Sequence, residues 1–246
     1  LTGGAFEGPL PAGRVALLGS MRAGRSHQRR LTIIEGLTSV KIRDAIQTNE
    51  NFTGDITVAL DEGSLLPETY FYTHGTSRDA MLTRMQEKRE LALAEAWIDR
   101  APDLPYKTPR DALILASIIE LETGDSAERL EVAGVFVNRL KRGMRLQSDP
   151  TVLYGVEGDA NRRIRRSDLK RKTEWNTYVI KGLPKTPICN PSLESINAAL
   201  APAQTKNLYF VSDGKGGLRF ARTLDEHNRN VRLFRQAQRK AGLRDD

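Results

Sequence analysis

The sequence predicts an α+β fold: a mainly helical larger part carrying one β-hairpin, preceded by a small α+β module. Three observations predict it. Leu113-Ile114-Leu115-Ala116-Ser117-Ile118-Ile119 is apolar nearly all round, as a central buried helix requires, and it runs directly into Glu120-Leu121-Glu122-Thr123-Gly124. Leu208-Tyr209-Phe210-Val211 and Leu218-Arg219-Phe220 flank the loop Asp213-Gly214-Lys215-Gly216-Gly217, which reads as a hairpin. Leu31-Thr32-Ile33-Ile34, the turn Glu35-Gly36 and a helix capped by Thr38 make a strand–turn–helix unit near the N-terminus.

Taken in order, residues 1–13 are rich in Gly and Pro, Val15 to Met21 is apolar, and residues 22–30 form a basic loop. The Thr38-capped helix carries Val40, Ile42, Ala45 and Ile46. Glu62 to Tyr72 is a Pro-punctuated loop feeding an aromatic cluster, and a long helix spans Ser77 to Arg100. Asp103-Leu104-Pro105 marks the boundary between a first unit, 1–104, and a second, 105–246. Thr108 as N-cap, Pro109 at the first helical position and Asp111 in the first turn open the apolar helix, and Gly124 suits its C′ position. Ser126 caps the next helix, which carries Val132 to Leu140 and completes an αα-hairpin. A short helix follows Pro150, with Asp149 as a candidate cap. Residues 157–173 are a polar connection, Ser192 caps a helix with Leu193, Ile196 and Leu200, and Thr223 with Glu226 forms a capping box for the terminal helix.

The 246 residues carry a net charge of +7, which suits an acidic polymer: nucleic acid, anionic lipid or anionic cell wall. Arg162, Arg163, Arg165, Arg166, Lys170, Arg171 and Lys172 crowd into one stretch. It lacks the interleaved aromatics of single-strand binders, so a solvated charged loop is favoured over a nucleic-acid site. The lone Cys189 excludes an intramolecular disulfide framework and a cysteine zinc site, and is read as a buried, inert thiol. His27, His74 and His227 have no metal-ligand spacing and are read as surface residues. No run reaches the roughly 18 to 20 apolar residues of a membrane span. The first residue is not Met, so the chain is expected to begin inside a longer protein whose N-terminus holds any anchor.

Glu120 and Glu122 are the strongest candidates for chemistry. A carboxyl carried on an apolar helix is costly to ionise, and the last helical turn raises its pKa further; a raised pKa is what a general acid needs. Two residues apart, they point about 200° away from each other and cannot form a dyad. Glu122 continues the Leu115, Ile118, Ile119 face and Glu120 the Ala112, Ala116, Ser117 face. The residues alone leave open which of the two is catalytic, and leave two solvated glutamates as an equal alternative. Gln147, Ser148 and Asp149 offer hydrogen-bonding groups before Pro150, while Trp175-Asn176-Thr177-Tyr178 combines the aromatic and polar groups that sugars use.

In order along the chain, Ala116-Ser117-Ile118-Ile119-Glu120-Leu121-Glu122-Thr123, Val132 to Leu140, Gly143 to Gly155, Asn176-Thr177-Tyr178, Gly182-Leu183-Pro184 and Leu208 to Gly214 resemble the endolytic murein transglycosylase family, also called MltG or YceG-like. The likeness covers nearly all of residues 105–235, and Glu62 to Tyr72 resembles the family's Glu-Gly…Pro-x-Thr-Tyr element. It implies a lysozyme-like helical catalytic domain and a LysM-like first module truncated at its N-terminus. It also implies a single-pass inner-membrane protein facing the wall, which cuts nascent peptidoglycan strands to leave 1,6-anhydro-N-acetylmuramic acid ends. Peptidoglycan strands are the implied partner, with peptidoglycan synthases a further implied partner and no metal or nucleotide cofactor. The family's catalytic glutamate is the second of Glu-x-Glu-Thr, which maps onto Glu122; Glu120, Gln147, Ser148, Asp149, Asn176 and Tyr178 then become supporting or sugar-orienting residues. Two departures stand out: Leu121 between the glutamates, where a polar residue is usual, and the unusually basic 157–173 loop.

Overall fold

The computed structural model describes residues 28–156 and 164–240. The expectations for residues 1–27, and for Arg162 and Arg163, lie outside them. Strand β1 (Arg29–Thr32) pairs antiparallel with β3 (Thr69–Tyr72), with Arg29 opposite Tyr72. Between them lie helix α1 (Ser39–Thr48) and β2 (Phe52–Thr53), which pairs parallel with β4 (Thr76–Ser77). The first strand thus starts two residues earlier than the apolar run implied, because β3 sets its partner. Ile33 still donates its N–H to Glu68 and is buried, while Ile34 faces solvent. Thr38 caps α1 as expected, but of its apolar residues only Ile42 and Ile46, one turn apart, face inward; Val40 and Ala45 are exposed.

Helix α2 (Arg78–Ile98), capped by Ser77, serves two cores. Its first half places Met81, Leu82 and Met85 against Ile42, Ile46, Phe52, Leu65, Tyr70 and Tyr72. Its second half places Leu93, Ala96 and Trp97 against the larger core. That core is built around α3 (Pro109–Glu122), in which Ala112 to Ile119 are all buried. Burying Leu115, Ile118 and Ile119 stabilises the fold by about 1.5–3 kcal/mol each. Thr108 caps α3 as predicted, and Asp111 goes further than a first-turn carboxylate by accepting from the Thr108 N–H, which completes a capping box. Its other end differs. Thr123 turns extended (φ −147°, ψ 132°) and accepts a hydrogen bond from the Asp125 N–H, so Gly124 is not needed in the left-handed conformation. Asp125, not Ser126, caps α4 (Ser126–Lys141), with its carboxylate 2.8 Å from the Ala127 nitrogen.

Helix α5 (Asp149–Gly155), a 3₁₀ turn at Asp168–Lys170 and α6 (Leu193–Leu200) follow. Helix α3 packs most extensively on α6, which also touches α2 and α4. The hairpin β5 (Tyr209–Ser212) and β6 (Leu218–Ala221) then leads to α7 (Leu224–Lys240), opened by the predicted Thr223–Glu226 box. His227 is not a surface residue: it is half-buried and stacks on Tyr209 at 5.2 Å between ring centres. His74 is exposed and Cys189 is fully buried, its thiol pKa raised by burial. Among the described residues, no helix is long and apolar enough to cross a membrane.

Gly134 lies where α4 meets the segment after α6. A Cβ there would sit 2.6 Å from the Ala203 carbonyl oxygen and 2.7 Å from the Thr205 methyl. Gly134→Ala gains up to about 1 kcal/mol of helix propensity. The backbone contact cannot yield as a flexible side chain would, so the net result is a loss of about 1–3 kcal/mol, read as a lower urea midpoint at unchanged m.

Candidate functional site

Glu122 stands at the last residue of α3, where the helix axis delivers it to the turn before α5. Its carboxyl accepts a 2.5 Å hydrogen bond from the Ser148 hydroxyl. The residue as a whole is half-buried. Burial is the main reason its pKa rises from 4.5 to about 7. The Ser148 hydrogen bond opposes that rise, the charge of Asp149 adds to it, and the Arg139 guanidinium opposes it. The raised pKa expected of a carboxyl on this helix is thus present, with desolvation as its main cause.

Ser148 is held as firmly as the carboxyl it serves. Its N–H donates to the Thr177 hydroxyl (2.9 Å), which lies 2.9 Å from the Thr151 hydroxyl; Thr151 in turn donates to the Ser148 carbonyl (2.6 Å). All three side chains are buried. Ser148 is the N-cap of α5 by position but makes no side-chain cap, because its hydroxyl is committed to Glu122. Asp149 does not cap α5 either. It is the first helical residue, exposed, and accepts a 2.6 Å hydrogen bond from the Tyr178 hydroxyl, whose pKa is raised by burial and then by Asp149. Gln147 is exposed at φ 50°, with its N–H bound to the Thr177 carbonyl.

The remaining candidates take supporting places. Glu120 points to α6: it accepts from both the N–H (2.7 Å) and the hydroxyl (2.5 Å) of Ser192, the α6 cap, with Arg129 3.8 Å from its other oxygen. A carboxylate at a helix N-terminus is stabilising there, and Glu120 joins α3 to α6 away from Ser148. Asn176 is buried, and its amide donates to the carbonyls of Asp168, Leu169 and Arg171 while its oxygen accepts from the Tyr178 N–H. It shapes the turn instead of offering an amide to a ligand. Trp175 packs edge-on against Tyr154 and donates to Thr186, at the margin of the core.

Two groups escaped the sequence reading. Arg139 is buried on α4 and donates to the carbonyls of Leu208 and Leu146, both at 2.6 Å, with its guanidinium over the Tyr209 ring. It fixes the turn that carries Ser148. Glu62 accepts from the Ser39 N–H (2.9 Å) and the Tyr154 hydroxyl (3.2 Å), and burial raises its pKa. It ties α1 to α5, the helix that starts at Asp149. A charge among apolar neighbours was the available signal for Arg139, as it was for Glu122; for Glu62 the signal was its place in the Glu-Gly element of the resemblance, which assigned it no role.

The arrangement provides a carboxyl with its pKa raised to about 7, a fixed hydrogen-bond donor to it, and a tyrosine-bound second carboxylate. The YceG-like family model matches residues 4–233. The endolytic murein transglycosylase of Bacillus subtilis is 38% identical over 183 residues, covering 74% of this chain and 50% of its own length. That of Streptococcus pneumoniae serotype 2 is 31% identical over 177 residues, covering 69% of this chain and 31% of its own. The chain thus spans about half or less of these relatives. The crystal structure of a yceG-like protein from Listeria monocytogenes superimposes with a TM-score of 0.67 at 30% identity, covering 87% of this chain and 80% of that one. With its family match running over nearly its whole length and the same architecture in a solved relative, the chain belongs to the YceG-like family.

Proposed function

We propose that the chain is an endolytic lytic transglycosylase that cuts the bond between N-acetylmuramic acid and N-acetylglucosamine in nascent peptidoglycan, on the wall-facing side of the membrane. The observation that carries this reading is Glu122: a desolvated carboxyl with a pKa near neutrality, hydrogen-bonded to Ser148. Protonated Glu122 gives its proton to the glycosidic oxygen as the C1–O bond breaks. The substrate's 2-acetamido group stabilises the oxocarbenium-like charge. Glu122, now ionised, takes the C6 hydroxyl proton as O6 closes on C1. One group serves as acid and then base, so neither a water nor a second carboxylate enters the balance. Ser148 favours the ionised state of Glu122 that the second half needs, and the Tyr178–Asp149 pair is suited to orienting sugar hydroxyls.

A hydrolytic reading has one observation in its favour: Asp149 is near enough to act electrostatically on Glu122, as a water-activating carboxylate would be. The Tyr178 hydroxyl counts against it, since donation to Asp149 weakens that carboxylate as a base. Digestion of purified peptidoglycan followed by mass analysis of the new ends separates the readings. The transglycosylase leaves muramic ends lighter by one water than those of a hydrolase. Ordinary reducing ends mean hydrolysis, and binding without new ends means a noncatalytic wall-binding protein.

A further inference from the structure

The basic turn that the catalytic chemistry does not use is built into the same frame as the acid. Arg165, Arg166, Lys170, Arg171 and Lys172 are all exposed, while the backbone beneath them is fixed. The buried Asn176 amide nitrogen lies 3.1, 3.3 and 2.8 Å from the carbonyl oxygens of Asp168, Leu169 and Arg171. The Asp168 carboxylate accepts from the Arg165 N–H at 2.9 Å, folding the turn back on itself. The next residue, Thr177, holds Ser148, and the one after, Tyr178, holds Asp149. Three consecutive residues thus grip the basic turn on one side and the acid's partners on the other. The neighbouring acid Glu174 is engaged by Lys185 at 2.8 Å. Arginine forks and lysines carried on a pinned backbone suit carboxylates presented at a fixed distance from the cleaved bond.

We propose that this turn is a substrate subsite that binds the carboxylates of the peptide stems borne by the muramic residues of the glycan strand. The proposal rests on the peptidoglycan reading above and adds to it a preference for strands that keep their peptides. The test neutralises the five cations together, as R165Q/R166Q/K170Q/R171Q/K172Q, and keeps Asn176, whose bonds go to backbone; an unchanged melting temperature checks the fold. Wild type and variant are assayed on peptide-bearing strands and on the same strands stripped by an amidase. On peptide-bearing strands the variant's KM rises about tenfold with kcat unchanged, the size expected from several exposed charge contacts, and the wild type's advantage fades with added salt. On stripped strands, whose only carboxylates are the lactyl groups that the amidase frees against the sugar ring and not at stem length, the two are equal. Equal losses on both polymers, or no loss on either, overturn the proposal. The binding arm uses the Glu122→Gln background with and without the five changes, on the same two polymers, with anionic vesicles and duplex DNA as controls. Stronger binding by the basic form to peptide-bearing strands alone supports the subsite even if no strand is cut, in which case the transglycosylase reading fails by itself. A basic-turn advantage that appears on DNA or vesicles and not on peptide-bearing strands overturns the subsite.

Discussion

Glu122→Gln abolishes strand cleavage, lowering kcat/KM by about a thousandfold or more. A positioned general acid contributes roughly 10²–10⁴, and here one residue supplies both the acid and the base step. The amide is nearly isosteric and its oxygen still accepts from Ser148, so the fold is kept and the loss is chemical. Glu120→Gln is the paired control: it weakens the α3–α6 junction at Ser192 and leaves the proton transfers in place. Counting new chain ends by mass decides the matter. Retained cleavage in Glu122→Gln with loss in Glu120→Gln reverses the assignment.

The same carboxyl sets two pH dependences of known sign. The acid step needs protonated Glu122, so kcat/KM falls as pH rises through about 7. Stability moves with it. Between the ordinary value of 4.5 and about 7 the folded state holds a proton that the unfolded state has lost, so stability is fullest below 4.5 and declines as pH rises to about 7. The decline is roughly 3 kcal/mol at most, and less in so far as the residue is only half-buried. Glu122→Gln removes it, so the inactive variant has the higher urea midpoint at pH 8 and no such advantage at pH 4. Ser148→Ala removes a bond that favours the ionised form, and its activity limb moves to higher pH.

The helical frame was legible because its signals are local. Thr108, Pro109 and Asp111 open α3, Thr223 and Glu226 open α7, and the apolar run between Leu113 and Ile119 could only be central. Less was legible where two local solutions compete. Asp125 displaced Ser126 as a cap, and an extended Thr123 made a left-handed Gly124 unnecessary, because neighbouring residues offer the same hydrogen bond at similar cost. In the site, the divergence of Glu120 and Glu122 followed from helical spacing, whereas their partners did not. Ser192 and Ser148 lie 72 and 26 residues away, and contacts of that span leave no periodic trace. The Ser148–Thr151–Thr177 set and the two carbonyls taken by Arg139 were hidden for the same reason.

Arg139→Met costs about 3–5 kcal/mol of stability and lowers kcat as well. Methionine fills the volume of the arginine stem but has no donor for the Leu208 and Leu146 carbonyls, and each buried acceptor left unpaired costs about 1–3 kcal/mol. The Leu146 carbonyl begins the turn that presents Ser148 to Glu122, so loosening it reaches the acid directly. Losing the cation also removes an interaction that favours ionised Glu122, and the activity limb moves above its wild-type position. That shift separates a positioning residue from a merely structural one, since a fold-only defect lowers the amount of active enzyme without moving the limb. Arg139→Lys keeps the charge but not the fork, so it restores the limb more fully than the stability. Urea midpoints and pH–rate profiles of both variants decide it. An unmoved limb in Arg139→Met, with a stability loss under about 1 kcal/mol, would mean that neither the carbonyl clamp nor the charge acts on Glu122.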